Sequence, residues 1–198
     1  QGPPARGTRM TRLWWVRHGP THAREMIGWT NRAADLSDHA AITRLRHHLP
    51  EAPVVSSDLV RAMQTAAAIC RGQPLPPLPA LREIHFGAWE GLRFAEAEAR
   101  DPDLIRRFWE DPGDVAAPGG ESWNGLSARV NAAADALIGD HEGDLVIVAH
   151  FGAILTQIER ALGISTVQAF AQRIDPLSVT CIEVQSGIWC LRSVNVTV

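Results

Sequence analysis

The chain has 198 residues, 45% of them apolar, which fits one domain with an ample core. Its 19 basic residues are all arginine, and against 22 acidic ones they leave a net charge of -3, so nothing favours a nucleic-acid surface. The absence of lysine also removes Schiff-base and Walker-type phosphate chemistry.

Cys70, Cys181 and Cys190 form an odd set without a Cys-x-x-Cys pair. They read as buried apolar thiols of a reducing, cytoplasmic compartment rather than as zinc or redox ligands. No apolar run has transmembrane length and no signal peptide is visible, so no membrane partner is expected. The opening Gln1-Gly2-Pro3 reads as a protease-site remnant. Residues 1–9 are therefore set apart as a tag or flexible N-terminal segment, with Met10 as a native start.

In chain order, Leu13-Trp14-Trp15-Val16-Arg17 is an apolar run of strand length, with one tryptophan on each face. Residues 19–36, with Gly19, Pro20, Gly28 and Asn31, read as a loop over the strand end. Ser37 caps a helix through Leu49, turning Leu36, Ile42 and Leu45 inward. Pro53-Val54-Val55-Ser56 is a short strand. Asp58 caps a helix from Leu59 to Cys70 with Leu59, Ala62, Met63, Ala66 and Ile69 as its apolar stripe, and Gly72 ends it.

A proline-rich connection leads to Leu81-Arg82-Glu83. Residues 84–123 make a small cap insert with short helices near 93–100 and 102–110. Tryptophans 29, 89, 109 and 123 lie in or near the loops that could roof a pocket. A helix from Ser122 to Ile138, a strand at 144–149 and a helix at 151–162 follow. Two strands, 177–184 and 188–196, form a hairpin through Gln185-Ser186-Gly187. This alternation predicts a three-layer α/β/α sandwich over residues 10–198, with a mostly parallel central sheet and an antiparallel edge. The terminal hairpin offers an edge on which a homodimer could form.

Two apolar runs end on a histidine, His18 and His150. Ligands gather at the carboxyl ends of parallel strands, so neighbouring strands would bring both imidazoles together with Arg17 beside them. Imidazole is nucleophilic near neutral pH and arginine matches phosphate oxygens, which suits transfer of a phosphoryl group onto histidine. Gly19 turns the backbone away, and Thr21 adds a hydroxyl donor. Arg61, in the first turn of its helix, sits where an anion is favoured. Glu83 precedes an aromatic stretch, Ile84 to Gly91, a setting that raises a carboxyl pKa and suits a general acid. His150-Phe151-Gly152 repeats the first device, with a helix following. His22, His39, His47 and His48 lack metal-ligand spacing, so no metal is expected.

These segments, in this order, resemble the histidine phosphatase superfamily, which includes the cofactor-dependent phosphoglycerate mutases. The resemblance runs from Leu13 to Gly163. It implies a phosphoglycerate mutase-like fold, a small phosphorylated substrate, and no metal or organic cofactor. It implies further that His18 becomes phosphohistidine, that Arg17, Arg61 and His150 hold the phosphoryl group, and that Glu83 protonates the leaving alcohol.

Glu83-x-x-Phe86-Gly87-x-Trp89-Glu90-Gly91 and Pro118-Gly119-Gly120-Glu121-Ser122 are similar to the small branch typified by α-ribazole and broad-specificity phosphatases. Two positions depart from that branch. Arg24 stands where it usually has asparagine, and is expected to contact the phosphate or a second acidic group of the substrate. His85 stands where many members have aspartate and where mutases often carry histidine. The short cap implies easy water access, hence a phosphomonoesterase. The alternatives are mutase-type transfer and a non-catalytic phospho-ligand binder, although all five central residues are present.

Overall fold

The computed structural model describes residues 9–198, so the expected N-terminal tag lies almost wholly outside the described residues. β1 (Met10–Arg17) is followed by α1 (His39–His48), β2 (Val54–Ser56) and α2 (Val60–Ile69). A 3₁₀ turn, Pro79–Leu81, precedes the 84–123 segment, which holds a second one, Gly87–Trp89, then α3 (Phe94–Arg100) and α4 (Pro102–Glu110). α5 (Trp123–Asp140), β3 (Gly143–Ala149), α6 (Phe151–Leu162) and α7 (Thr166–Phe170) come next. β4 (Val179–Gln185) and β5 (Ile188–Val196) close the chain.

The sheet order is β2-β3-β1-β4-β5. β3 runs parallel to both β1 and β2, while β4 pairs antiparallel with β1 and with β5. The expected parallel centre and antiparallel edge are both present. β1 and β3 are apolar without alternation because both of their faces are covered. Leu13, Trp15, Leu145 and Ile147 pack in one cluster with Leu126 and Val130 of α5 and Ile154 and Ile158 of α6. Val16, Val146 and Val148 face Ile42 and Leu45 of α1 and Ala62 and Ala66 of α2. Trp14 joins that second face, so the two tryptophans do point to opposite sides. Each fully buried Leu or Ile here contributes about 1.5–3 kcal/mol of transfer free energy.

Several local expectations are corrected. β1 starts at Met10 rather than Leu13, because Met10, Thr11 and Arg12 pair with β4 and Arg12 forms an ion pair with Asp144. Asp38, not Ser37, caps α1, accepting from Ala41 N–H at 2.9 Å. Asp58 does not cap α2. Its carboxylate takes a bidentate bond from Arg82, and Asn31 Oδ1 accepts from Val60 N–H instead, at 2.8 Å. Met63 is 38% exposed; Arg61 and Thr65 occupy the buried face of α2. β4 begins at Val179 because Leu177 turns at a φ of 61°. α7 was not expected; Ser165 and Gln168 cap it reciprocally. Of the cysteines, all free, only Cys181 is fully buried.

Among the described residues, no helix is long and apolar enough to cross a membrane. The proline-rich connection runs along β2, where Leu75 and Leu78 N–H groups bond to the Val54 and Ser56 carbonyls. It thereby covers one edge of the sheet.

Candidate active site

Because β1 and β3 are neighbours in parallel register, with Arg17 opposite Ala149, the next residue of each strand is a histidine. The His18 N–H donates to the Ala149 carbonyl at 3.1 Å, and the two imidazole centroids lie 5.1 Å apart. The chain turns at Gly19, whose N–H is held by Thr65 Oγ1 at 2.9 Å. A Cβ at Gly19 would lie 2.5 Å from the Leu36 side chain, so the turn has no room for one.

Each ring nitrogen of His18 has an assigned role. Nδ1 lies 2.7 Å from its acceptor, the Gly19 carbonyl, so the proton sits on Nδ1 and Nε2 keeps its lone pair. The Arg61 Nε–H points at that lone pair from 3.2 Å. Burial, then the Arg61 and Arg17 charges, push the His18 pKa down to about 3 against an opposing pull from the Gly19 carbonyl. The ring is therefore a neutral, buried imidazole at physiological pH, oriented by its bond to Gly19.

His150 is wholly buried and begins α6 as its N-cap. Ser57 Oγ lies 2.6 Å from its Nε2. With the hydroxyl donating there, the ring proton falls on Nδ1, which has no protein partner. Burial first, then the neighbouring His18 and arginines, lower the His150 pKa well below the ordinary value. Arg17 donates through Nη1 to the Ile174 carbonyl at 2.6 Å and lies over the Phe151 ring, while its buried Nε is unpartnered. Arg61, only 1% exposed, gives Nη1 to Thr30 O at 2.8 Å and Nη2 to Gly28 O at 2.6 Å.

Glu83 enters from the cap side. Its carboxylate accepts from the Ile84 and Gly152 N–H groups, each at 3.0 Å, and opposes the desolvation of both Arg17 and Arg61. A Cβ on Gly152 would lie 2.4 Å from Glu83 Oε1, so only glycine lets α6 approach the acid this closely. The expected aromatic setting is present: Phe86, Phe108, Trp109, Trp123, Phe151 and Phe170 line a slot of about 40 Å³ beside Glu83. Trp109 and Trp123 are thus at the pocket, Trp89 is core, and Trp29 lies 37% exposed against Arg82 and His85.

Arg17, His18, Arg61, Glu83, His150 and Gly152 thus converge at the carboxyl ends of β1 and β3. Thr21 and Arg24 lie on the loop after β1, and neither side chain is hydrogen-bonded to that cluster; Arg24 is exposed. Two supporting residues had escaped the sequence reading. Ser57 orients His150 from 93 positions away. Arg129 of α5 spends its guanidinium on Glu121 and on the Ala80, Arg82 and Glu83 carbonyls, pinning the segment that carries the acid.

Residues 13–197 match the histidine phosphatase superfamily (branch 1). A bifunctional protein of Mycobacterium tuberculosis is 36% identical over 204 aligned positions, covering 98% of this chain and 56% of that one. The chain therefore spans little more than half the length of that relative. A metal-independent phosphoserine phosphatase of Arabidopsis thaliana is 29% identical over 198 positions, covering 94% of this chain and 82% of that protein. The α-ribazole phosphatase of Shigella flexneri superposes with a TM-score of 0.81 at 25% identity, over 93% of this chain and 96% of that one.

Proposed function

Because this chain belongs to the histidine phosphatase superfamily (branch 1), we propose that it is a metal-independent phosphomonoesterase. It hydrolyses a small phosphorylated metabolite through a phosphohistidine on His18. The observation that carries this reading is the polarity of one ring: Nδ1–H tied to Gly19 O, and Nε2 presented to Arg61.

The chemistry follows from the named atoms. The incoming phosphoryl group takes the place of the Arg61 Nε–H on Nε2: that N–H passes to a phosphoryl oxygen while the freed Nε2 lone pair attacks phosphorus, forming an N–P bond as the ester P–O bond breaks. Arg17 and Arg61 take up the charge on the equatorial oxygens, and His150 Nδ1–H donates to one of them. Arg17 Nε and His150 Nδ1 are both buried without partners, a cost of about 1–3 kcal/mol each that a bound oxyanion would remove. Glu83, in its acid form, gives its proton to the leaving alkoxide. Water then attacks the phosphohistidine and passes a proton to Glu83, the N–P bond breaks, and inorganic phosphate and neutral His18 remain.

Two guanidinium groups supply the positive charge that a metal brings elsewhere. Among the described residues, no group of three or more His, Cys, Asp or Glu could hold one. Hydrolysis is favoured over mutase transfer by the cap, whose two helices have only 7 and 9 residues. His85, the position shared with mutases, is engaged within the cap: it accepts from Gly87 N–H at 3.0 Å and meets the Trp29 ring edge-on.

The test is to quench turnover of a labelled aryl phosphate and look for an acid-labile, alkali-stable adduct. It should be present in the wild type and absent in His18→Ala, which loses at least about a thousandfold in rate. Near-normal turnover by that variant sinks the mechanism. With 3-phosphoglycerate and a 2,3-bisphosphoglycerate primer, 2-phosphoglycerate appearing faster than free phosphate would overturn hydrolysis.

A further inference from the structure

Glu90 belongs to the Trp89-Glu90-Gly91 motif, yet no step of the proposed chemistry uses it. It lies far along the chain from the loop over β1, but its carboxylate is bonded to that loop at every turn. Oε2 accepts from the Gly28 N–H at 3.0 Å, the Thr30 N–H at 3.2 Å and Thr30 Oγ1 at 2.5 Å. Oε1 accepts from the Trp29 N–H at 2.7 Å and the Phe86 N–H at 3.0 Å. Five donors saturate one half-buried carboxylate.

Two of these residues turn their carbonyls toward Arg61. Gly28 O and Thr30 O accept its two terminal nitrogens at 2.6 and 2.8 Å. The peptide unit joining Gly28 to Trp29 is thus bonded at both ends, its C=O to the buried cation and its N–H to the half-buried anion. Such aligned dipoles reinforce one another in a low-dielectric setting. The next residue, Asn31, caps the very helix that carries Arg61. Gly28 has no slack: a Cβ there would meet Ile84 O at 1.9 Å and Glu90 Oε1 at 2.6 Å.

We propose that Glu90 is a positioning residue: through the 28–30 loop it fixes the rotation of the Arg61 guanidinium, so that Nε faces the reacting nitrogen of His18. Without the clamp the guanidinium keeps its charge but loses its aim, and phosphoryl transfer is sensitive to displacements of about 1 Å. Burial pulls the Glu90 pKa up, but hydrogen bonds from Thr30, Phe86, Trp29 and Gly28 outweigh it and hold the carboxyl below its usual range. The clamp therefore stays ionised wherever the enzyme would work. Glu90 also offsets part of the cost of burying the Arg61 charge, after Glu83.

The inference rests on the phosphatase reading for its catalytic consequence but not for its binding consequence, and the experiment separates the two. Inorganic phosphate affinity by calorimetry and kcat/KM on p-nitrophenyl phosphate are measured for wild type, Glu90→Gln, Arg61→Ala and the double variant. Glu90→Gln should weaken phosphate binding about tenfold and lower kcat/KM about a hundredfold. In the Arg61→Ala background the same change should cost less than about twofold, because the residue it acts through is gone. A merely structural role would cost the same in both backgrounds, and that result, or wild-type values for Glu90→Gln, overturns the proposal. Glu25→Gln, which removes a carboxylate of the same loop that pairs with Arg32, should change neither quantity. If Glu90→Gln does not fold, Thr30→Val removes one clamp bond and should give a smaller loss of the same pattern; no loss refutes it. A wild type that binds phosphate but hydrolyses no monoester would end the phosphatase reading while the binding comparison still decides on Glu90.

Discussion

Acidification should destabilise this protein through the buried ring of His18. His18 is 6% exposed, and burial, Arg61 and Arg17 together bring its pKa from 6.5 to about 3. Between those values the unfolded chain binds a proton that the folded chain refuses. The stability due to the neutral ring is thus complete above about pH 6.5 and is lost as the pH falls toward about 3. For this ring alone, linkage gives a loss of about 2 kcal/mol between pH 7 and pH 5. His150, wholly buried and shifted in the same direction, adds to it. Urea unfolding at both pH values in phosphate-free buffer, on wild type and on His18→Asn, isolates the effect because the surface carboxylates are common to both. The wild type should lose about 2 kcal/mol more than the variant on going from pH 7 to pH 5. Equal losses would mean that the folded protein accepts the proton at His18, and the reasoning from a neutral buried ring would fall.

Ser57→Ala removes the 2.6 Å bond that sets the His150 tautomer and should lower kcat about tenfold; it also leaves Nε2 of a wholly buried ring unpartnered, at about 1–3 kcal/mol, so the thermal midpoint should fall by several degrees. An unchanged kcat would show that His150 needs no such partner. Activity should survive prolonged incubation with excess EDTA, since the positive charge at the site comes from Arg17 and Arg61. Loss on chelation with rescue by one added metal would contradict this.

What the sequence disclosed, and what it hid, divides along a physical line. β1, β3 and α6 are legible because doubly covered strands must be continuously apolar and a helix after a strand-end histidine needs room to turn. Arg17, His18, Arg61, Glu83 and His150 are legible because their residue types meet one chemistry. Asp58 was misread as a cap because its real partner, Arg82, lies 24 residues on, and no local rule ranks a bidentate ion pair above a helix terminus. Ser57 and Arg129 were invisible for the same reason: each acts on a segment brought near only by folding. Met63 fits the helical stripe by spacing, yet it is the neighbouring Arg61 that faces inward, where it finds carbonyls and the His18 ring. α7 carried its signal in Ser165 and Gln168, but five residues are too few for periodicity to speak.

The bond from His18 N–H to the Ala149 carbonyl makes this histidine the last rung of the β1–β3 ladder rather than a guest above it. The spacing of the two imidazoles is then a matter of strand register, held by two strands that are each paired on both edges, whereas the 28–30 loop hangs on side-chain bonds that can release one at a time. The two halves of the site thus have different lifetimes. Local opening lets go of the guanidinium's support first and restores it on closing, while the paired histidines separate only when the whole sheet does. The order of failure is built in: the 28–30 loop lets go of Arg61 long before the two imidazoles part.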